Sequence, residues 1–233
     1  KTHLHDLADP NNKLLRILAQ KAPGTFQHSL QVMNLSDAAA RSIDANVLLV
    51  RAGAMYHDIG KTENPQCFVE NEGVGAKYHD GLTPLESAKM IINHVTDGMR
   101  LAEKYNLPTI ISDFIITHHG TSCAAYFYNK YIQEGGDPAN ADEFFYKGKK
   151  PWTKEQTILM ICDSIEAASR TLKDTSPETF DKFVESIVAS KINAGQLDTS
   201  DLYLKDLTKI KSVLRTYLAP IYTERVEYPK NNP

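Results

Sequence analysis

"AGAMYHDIGKTENP", residues 52–65, brings an apolar stretch to an end with a histidine and an aspartate side by side, His57 and Asp58, then Gly60 and Lys61. The residues leading into it, "NVLLVRAGAMY" (46–56), are apolar on every side, which predicts a largely buried helix that Gly60 can terminate. A His-Asp pair is common and means little alone. Its significance here depends on whether the rest of the 233-residue chain supplies partners for it.

Helical patterning continues outward on both sides. "APGTFQHSLQVMNLSDAAARSI" (22–43) sets Phe26, Leu30, Met33 and Ala40 on one stripe, widened by Val32, Leu35 and Ala39. "TPLESAKMIINHVTDGMRLAEKYNLP" (83–108) opens with Thr83 as N-cap, Pro84 at the first helical position and Glu86 as the third member of a capping box. A short helix over 109–119 stops at Gly120, and Thr153 with Gln156 signals another capping box at the start of 153–172. Ser176-Pro177 starts a helix ending near Gly195, and the last runs from about Ser200 to Ala219. No segment alternates with period two between hairpin turns, so the fold class is all-α, a multi-helix bundle. Residues 121–152 are the least regular and predict a loop or flap, with part of "SCAAYFYNKYIQ" helical.

Composition sets the outer bounds. At 42% hydrophobic and 24% charged the chain can bury a core, and its net charge of −3 provides no basic field for polymeric nucleic acid. Three scattered cysteines have no metal-type spacing and suit a reducing compartment.

Five of the eight histidines fall inside or at the ends of apolar helices: His28, His57, His94, His118 and His119. Asp163 joins them, flanked by Ile161, Cys162 and Ile165. Each one alone has an ordinary explanation as a hydrogen-bonded core residue or a helix-end group. Together they would leave many ring nitrogens and two carboxylates buried without partners, and a shared metal centre removes that cost. His3, His5 and His79 stand in polar sequence and are expected at the surface.

These residues resemble the HD-domain phosphohydrolases: His28, the "HDIGK" of His57 to Lys61, His94, the "HHG" of His118 to Gly120, and Asp163. "APGTFQHS", "HDIGKTENPQCFVENE" and "THHGTS" are similar to one branch, the cytoplasmic HD domain of seven-transmembrane, PgpH-type cyclic di-AMP phosphodiesterases. The resemblance spans roughly residues 10–220 and implies an HD-domain bundle with a dinuclear centre. One ion would be held by His28, His57, Asp58 and Asp163, the other by His94, His118 and His119, with Asp58 bridging. Nitrogen and oxygen donors without thiolate point to two divalent transition-metal ions, iron or manganese.

The implied reaction is attack of a metal-bound hydroxide on cyclic di-AMP to give linear 5′-pApA, with Asp58 and Lys61 catalytic. The alternatives are a cyclic di-GMP or other nucleotide phosphohydrolase, and a nucleotide-sensing domain without turnover. Lys61 lies a turn beyond the pair and is the first candidate for a phosphate contact; Arg170, Thr121, Ser122 and Asn71 are further substrate-binding candidates. An ion pair with Glu166 competes for Arg170, and "KGKK" at 147–150 reads as a solvated loop.

By the same likeness the partners are a cyclic dinucleotide, the membrane-spanning region of the same full-length protein and a possible homodimer. The chain would be a soluble piece at the cytoplasmic face of a bacterial inner membrane, an expectation to which a start at Lys1 conforms. Residues 1–20 would form a lead-in from that region, 21–220 the domain, and 221–233 a C-terminal tail.

Overall fold

The computed structural model describes residues 3–72, 77–174 and 176–227. Ten α-helices follow one another among them: α1 (Leu4–Leu7), α2 (Lys13–Lys21), α3 (Pro23–Ser42), α4 (Val47–Tyr56), α5 (Pro84–Lys104), α6 (Thr109–Thr117), α7 (Ala125–Gln133), α8 (Lys154–Ser169), α9 (Pro177–Asn193) and α10 (Leu204–Glu227). The described residues hold no sheet; the sole β pairing among them is an isolated bridge between Cys123 and Phe145. The all-α reading holds.

Local chemistry accounts for the helix starts. Thr153 and Gln156 exchange both bonds of a capping box, and Ser176 caps α9 by accepting from the Thr179 amide. Thr83 caps α5 by accepting from the Glu86 amide, while its hydroxyl donates to the Glu86 carboxylate. Two elements depart from expectation. The assumed lead-in contains a true helix, α2, capped by Asn12 and burying Leu14, Leu15 and Leu18. The last helix runs past Ala219 through Pro220 to Glu227, because one proline removes a single amide from a long helix without stopping it here. The rest of the expected tail, 228–233, lies outside the described residues.

Helix α3 is the central post. It packs against α2, α4, α8 and α10, and its buried Val32, Leu35, Ala39 and Ala40 join Val50, Ile158, Ile165 and Leu214 in one continuous core. In a second group α5 packs on α6 and α7; α5 lies against the segment that follows α4, and α6 against α4 and α8. The two groups meet along α4 and at the His57-Asp58 pair that follows it. There the chain leaves α4 in a 3₁₀ turn (Ile59–Thr62) whose Gly60 presses directly on α5.

A Cβ on Gly60 would collide with the His94 carbonyl oxygen and stand 2.6 Å from the Gly98 amide nitrogen. This close approach of two backbones sets His94 beside Asp58. Gly60→Ala is therefore expected to cost roughly 3 kcal/mol or more of folding stability, since neither backbone can move aside cheaply. Thermal unfolding would measure it against Gly81→Ala, whose Cβ meets nothing within 4 Å. Equal melting temperatures for the two variants would refute the packing argument.

Candidate metal centre

The helix ends that carry the histidines also orient them. His57 is the C-cap of α4 and His118 the C-cap of α6, where backbone carbonyls have run out of amide partners. His57 Nδ1 donates to the Ala54 carbonyl (2.6 Å) and His118 Nδ1 to the Ile115 carbonyl (2.7 Å). His94, within α5, does the same with Ile91 (2.5 Å). Each ring is thereby fixed with Nε2 directed inward, the arrangement that suits a metal ligand. An apolar helix ending in histidine thus has a structural logic: the helix end supplies the acceptor, and the buried ring supplies the donor.

His28, from the second turn of α3, is oriented differently. Its Nδ1 donates to Glu166 Oε2 (2.6 Å), and Arg170 Nη2 donates to the same oxygen (2.6 Å). Asp163, Glu166 and Arg170 repeat along one face of α8 and its C-cap. Asp163 Oδ1 accepts from His28 Nε2 (2.7 Å) and lies 3.2 Å from His57 Nε2.

Asp58 sits between the two sets of histidines. Its Oδ1 is 3.4 Å from His94 Nε2 and 3.2 Å from His118 Nε2; its Oδ2 is 3.5 Å from His28 Nε2 and 3.3 Å from His57 Nε2. Both oxygens are buried, and neither makes a hydrogen bond of proper geometry. A buried carboxylate ringed by nitrogens yet left without hydrogen bonds fits a cation better than it fits the protein alone. His94 and His118 support the same conclusion, since their Nε2 atoms approach to 3.1 Å.

Two groups of donor atoms could each hold an ion: His28, His57, Asp58 and Asp163 in one, and His94, His118 and His119 in the other. Within each group the ligand atoms lie within 4.8 Å of one another. All seven predicted ligands are therefore brought together, in two clusters.

The charge environments of the two groups differ. Burial alone would raise the Asp58 carboxyl, but His57 and Lys61 hold it well below the usual carboxylate range. Burial would likewise lower His57 and His28, yet Asp58 and Asp163 push His57 up to about 10 in the metal-free protein, and Asp163 and Glu166 raise His28. His118 and His119 are lowered, chiefly by burial. Below about pH 10 an ion entering the first group must therefore displace a proton from His57, whereas His118 and His119 in the second group offer neutral rings. An ion entering the first group at neutral pH is expected to release roughly one to two protons, and one entering the second group fewer. Calorimetric titration in buffers of different ionisation enthalpy would show it, and equal release for both ions would contradict the assignment.

The predicted substrate residues have partners inside the protein. Lys61 Nζ stands 3.1 Å from Asp58 Oδ2 and donates to Glu70 Oε1 (2.7 Å), with Phe68 below its ammonium at 4.7 Å. Arg170 pairs with Glu166, Asn71 bonds Thr25, the Thr121 amide donates to Gln196, and the Ser122 hydroxyl donates to the His119 carbonyl. Gly120, at φ +53°, makes the left-handed turn that places Thr121 there.

His79 is half-buried rather than at the surface, bonded to the Cys67 carbonyl and Ser87. Glu70, Glu166 and Tyr146 adjoin the cluster and are missed by sequence reading. Burial lowers the Lys191 ammonium and Asp163 draws it partly back up, so it lies within electrostatic reach of the cluster. A groove of about 840 Å³ borders Tyr146 and contains none of the seven ligands.

The profile of the HD domain family matches residues 25–168, which spans all seven ligands. The chain belongs to the HD-domain family. This HD domain is 42% identical over 97% of its length to the cyclic-di-AMP phosphodiesterase PgpH of Bacillus subtilis, and 40% identical over 98% to PgpH of Listeria monocytogenes. It spans about a third of the length of these curated relatives. The crystal structure of the L. monocytogenes PgpH HD domain in complex with cyclic-di-AMP superposes with a TM-score of 0.88 at 39% identity. That match covers 92% of this chain and 100% of the other. No helix among the described residues is long and apolar enough to cross a membrane.

Proposed function

We propose that this HD domain is a metal-dependent phosphodiesterase that hydrolyses cyclic di-AMP to linear 5′-pApA. The observation that carries the reading is Asp58, buried and without hydrogen bonds between two donor groups, in a chain 39% identical to an HD domain crystallised with cyclic-di-AMP. The all-nitrogen-and-oxygen donor set favours iron or manganese. When bound, two ions would supply a nucleophile from water at neutral pH and neutralise charge on the phosphoryl oxygens.

The chain's own residues prepare that chemistry. His57, His94 and His118 present Nε2 because their Nδ1 protons are committed to carbonyls. Asp58 joins the two groups, and Asp163 adds a second carboxylate to one of them. Burial would lower the Lys61 ammonium, but Asp58 and Glu70 raise it further and keep it charged across the physiological range. It balances the carboxylates and stands where it can turn to a phosphate oxygen. Arg170, Thr121, Ser122 and Asn71 are proposed to reach substrate only by exchanging their present partners. The membrane-spanning region of PgpH-like proteins and a second copy of the domain remain its proposed partners.

Cyclic di-AMP, cyclic di-GMP and a set of mononucleotides, offered to the manganese-loaded protein side by side, test the reading. Preferential turnover of the adenine dinucleotide is expected. Preference for a mononucleotide would replace the proposal with the broader phosphohydrolase alternative.

A further inference from the structure

Four of the five histidines in the centre have Nδ1 fixed by a hydrogen bond, three to a carbonyl and His28 to Glu166. His119 has no such bond among the described residues. Its imidazole meets rings instead: His118, tilted at 4.3 Å, His94, edge-on at 5.2 Å, and Tyr146, the one stacked on its face, nearly parallel at 13° with centroids 4.3 Å apart. The same tyrosine touches His94 edge-on at 6.0 Å, and it is 6% exposed.

Tyr146 comes from the irregular 121–152 segment, and that segment is fastened where the stack requires it. Its amide donates to the Ser122 carbonyl (2.8 Å), Ala124 N to Phe144 O (2.7 Å), Gly148 N to Gly120 O (3.2 Å) and Lys149 N to Ile116 O (3.0 Å). These bonds join the flap to the backbone on both sides of the His118-His119 pair.

We propose that Tyr146 is a positioning residue for His119, holding its ring plane by stacking, so that the His94/His118/His119 group is complete only with residues 144–149 docked. A stacked face resists rotation about the terminal side-chain torsion, which is otherwise broad for histidine, and it leaves both ring nitrogens free. This inference rests on the metal reading above. Docking of the flap is thereby coupled to occupancy of one ion site and not the other, because the ring contacts of Tyr146 within the centre are with His119 and His94.

The test is equilibrium titration of the metal-free protein with Co²⁺, followed by its visible absorption, on wild type, Tyr146→Phe and Tyr146→Leu. Wild type and Tyr146→Phe are expected to bind two ions alike, since phenylalanine keeps the stack. Tyr146→Leu is expected to weaken the second ion by roughly 10–100-fold, the usual cost of losing an outer-shell orienting group, with the first ion unchanged. Undiminished second-ion binding in Tyr146→Leu would overturn the proposal, as would equal losses in both variants or equal weakening of both ions. A wild type that takes up a single ion would overturn the metal reading itself and the inference with it.

Discussion

Asp58→Asn is expected to lower phosphodiester hydrolysis by roughly 10³-fold or more and to leave the protein with about one bound ion in place of two. The substitution preserves shape, so folding should survive, but it removes the one carboxylate that faces both donor groups. The group containing His94, His118 and His119 would then hold imidazole donors without any carboxylate, whereas the other keeps Asp163. The second ion is accordingly the one lost. An amide also cannot act as acceptor on both sides, and its NH₂ would point at ring nitrogens meant for a cation. Metal content after desalting and the rate on cyclic di-AMP are the paired readouts. Two retained ions with activity within about tenfold of wild type would show that Asp58 does not bridge.

Lys61→Met carries the second large effect, and it differs in kind. Lys61 is held between Asp58 at 3.1 Å and Glu70 at 2.7 Å, with a side chain 12% exposed. Methionine leaves two buried carboxylates facing each other without the cation, a change on the order of 3–5 kcal/mol for a broken buried pair. Activity should fall as well, by roughly 10²-fold if the ammonium also serves a phosphate oxygen. The double variant Lys61→Met with Glu70→Gln separates the two roles. Removing Glu70's charge should restore much of the melting temperature and none of the rate. Recovery of both together would make Lys61 purely structural.

The seven clustered residues are legible in the sequence because together they place more polar groups in apolar helices than ordinary explanations absorb. Histidine at the end of an apolar helix, or in its middle as at His94, is conspicuous, and so is Asp163 among isoleucines. Periodicity and caps locate most helices for a related reason: those signals are local. Glu166 is different. At i+4 from Arg170 it looks like half of a surface ion pair, and the pair does form, but tertiary packing turns both onto His28. Its spacing of three residues from Asp163 is the available clue. Tyr146 leaves no local trace, since "FFYKGKK" has no helical or strand period and its role depends on backbone bonds to a turn more than twenty residues away. Helix α2 escapes the reading although Asn12 before Leu14, Leu15 and Leu18 is a cap followed by an apolar stripe.

The most direct measurement is chromatography of products from cyclic di-AMP after incubation with protein verified to hold its metal, beside the same protein stripped by a chelator. Linear 5′-pApA formed by the loaded protein, absent from the stripped sample and restored on adding manganese back, is the expected result. No cleavage by protein shown to carry two ions would contradict the phosphodiesterase assignment.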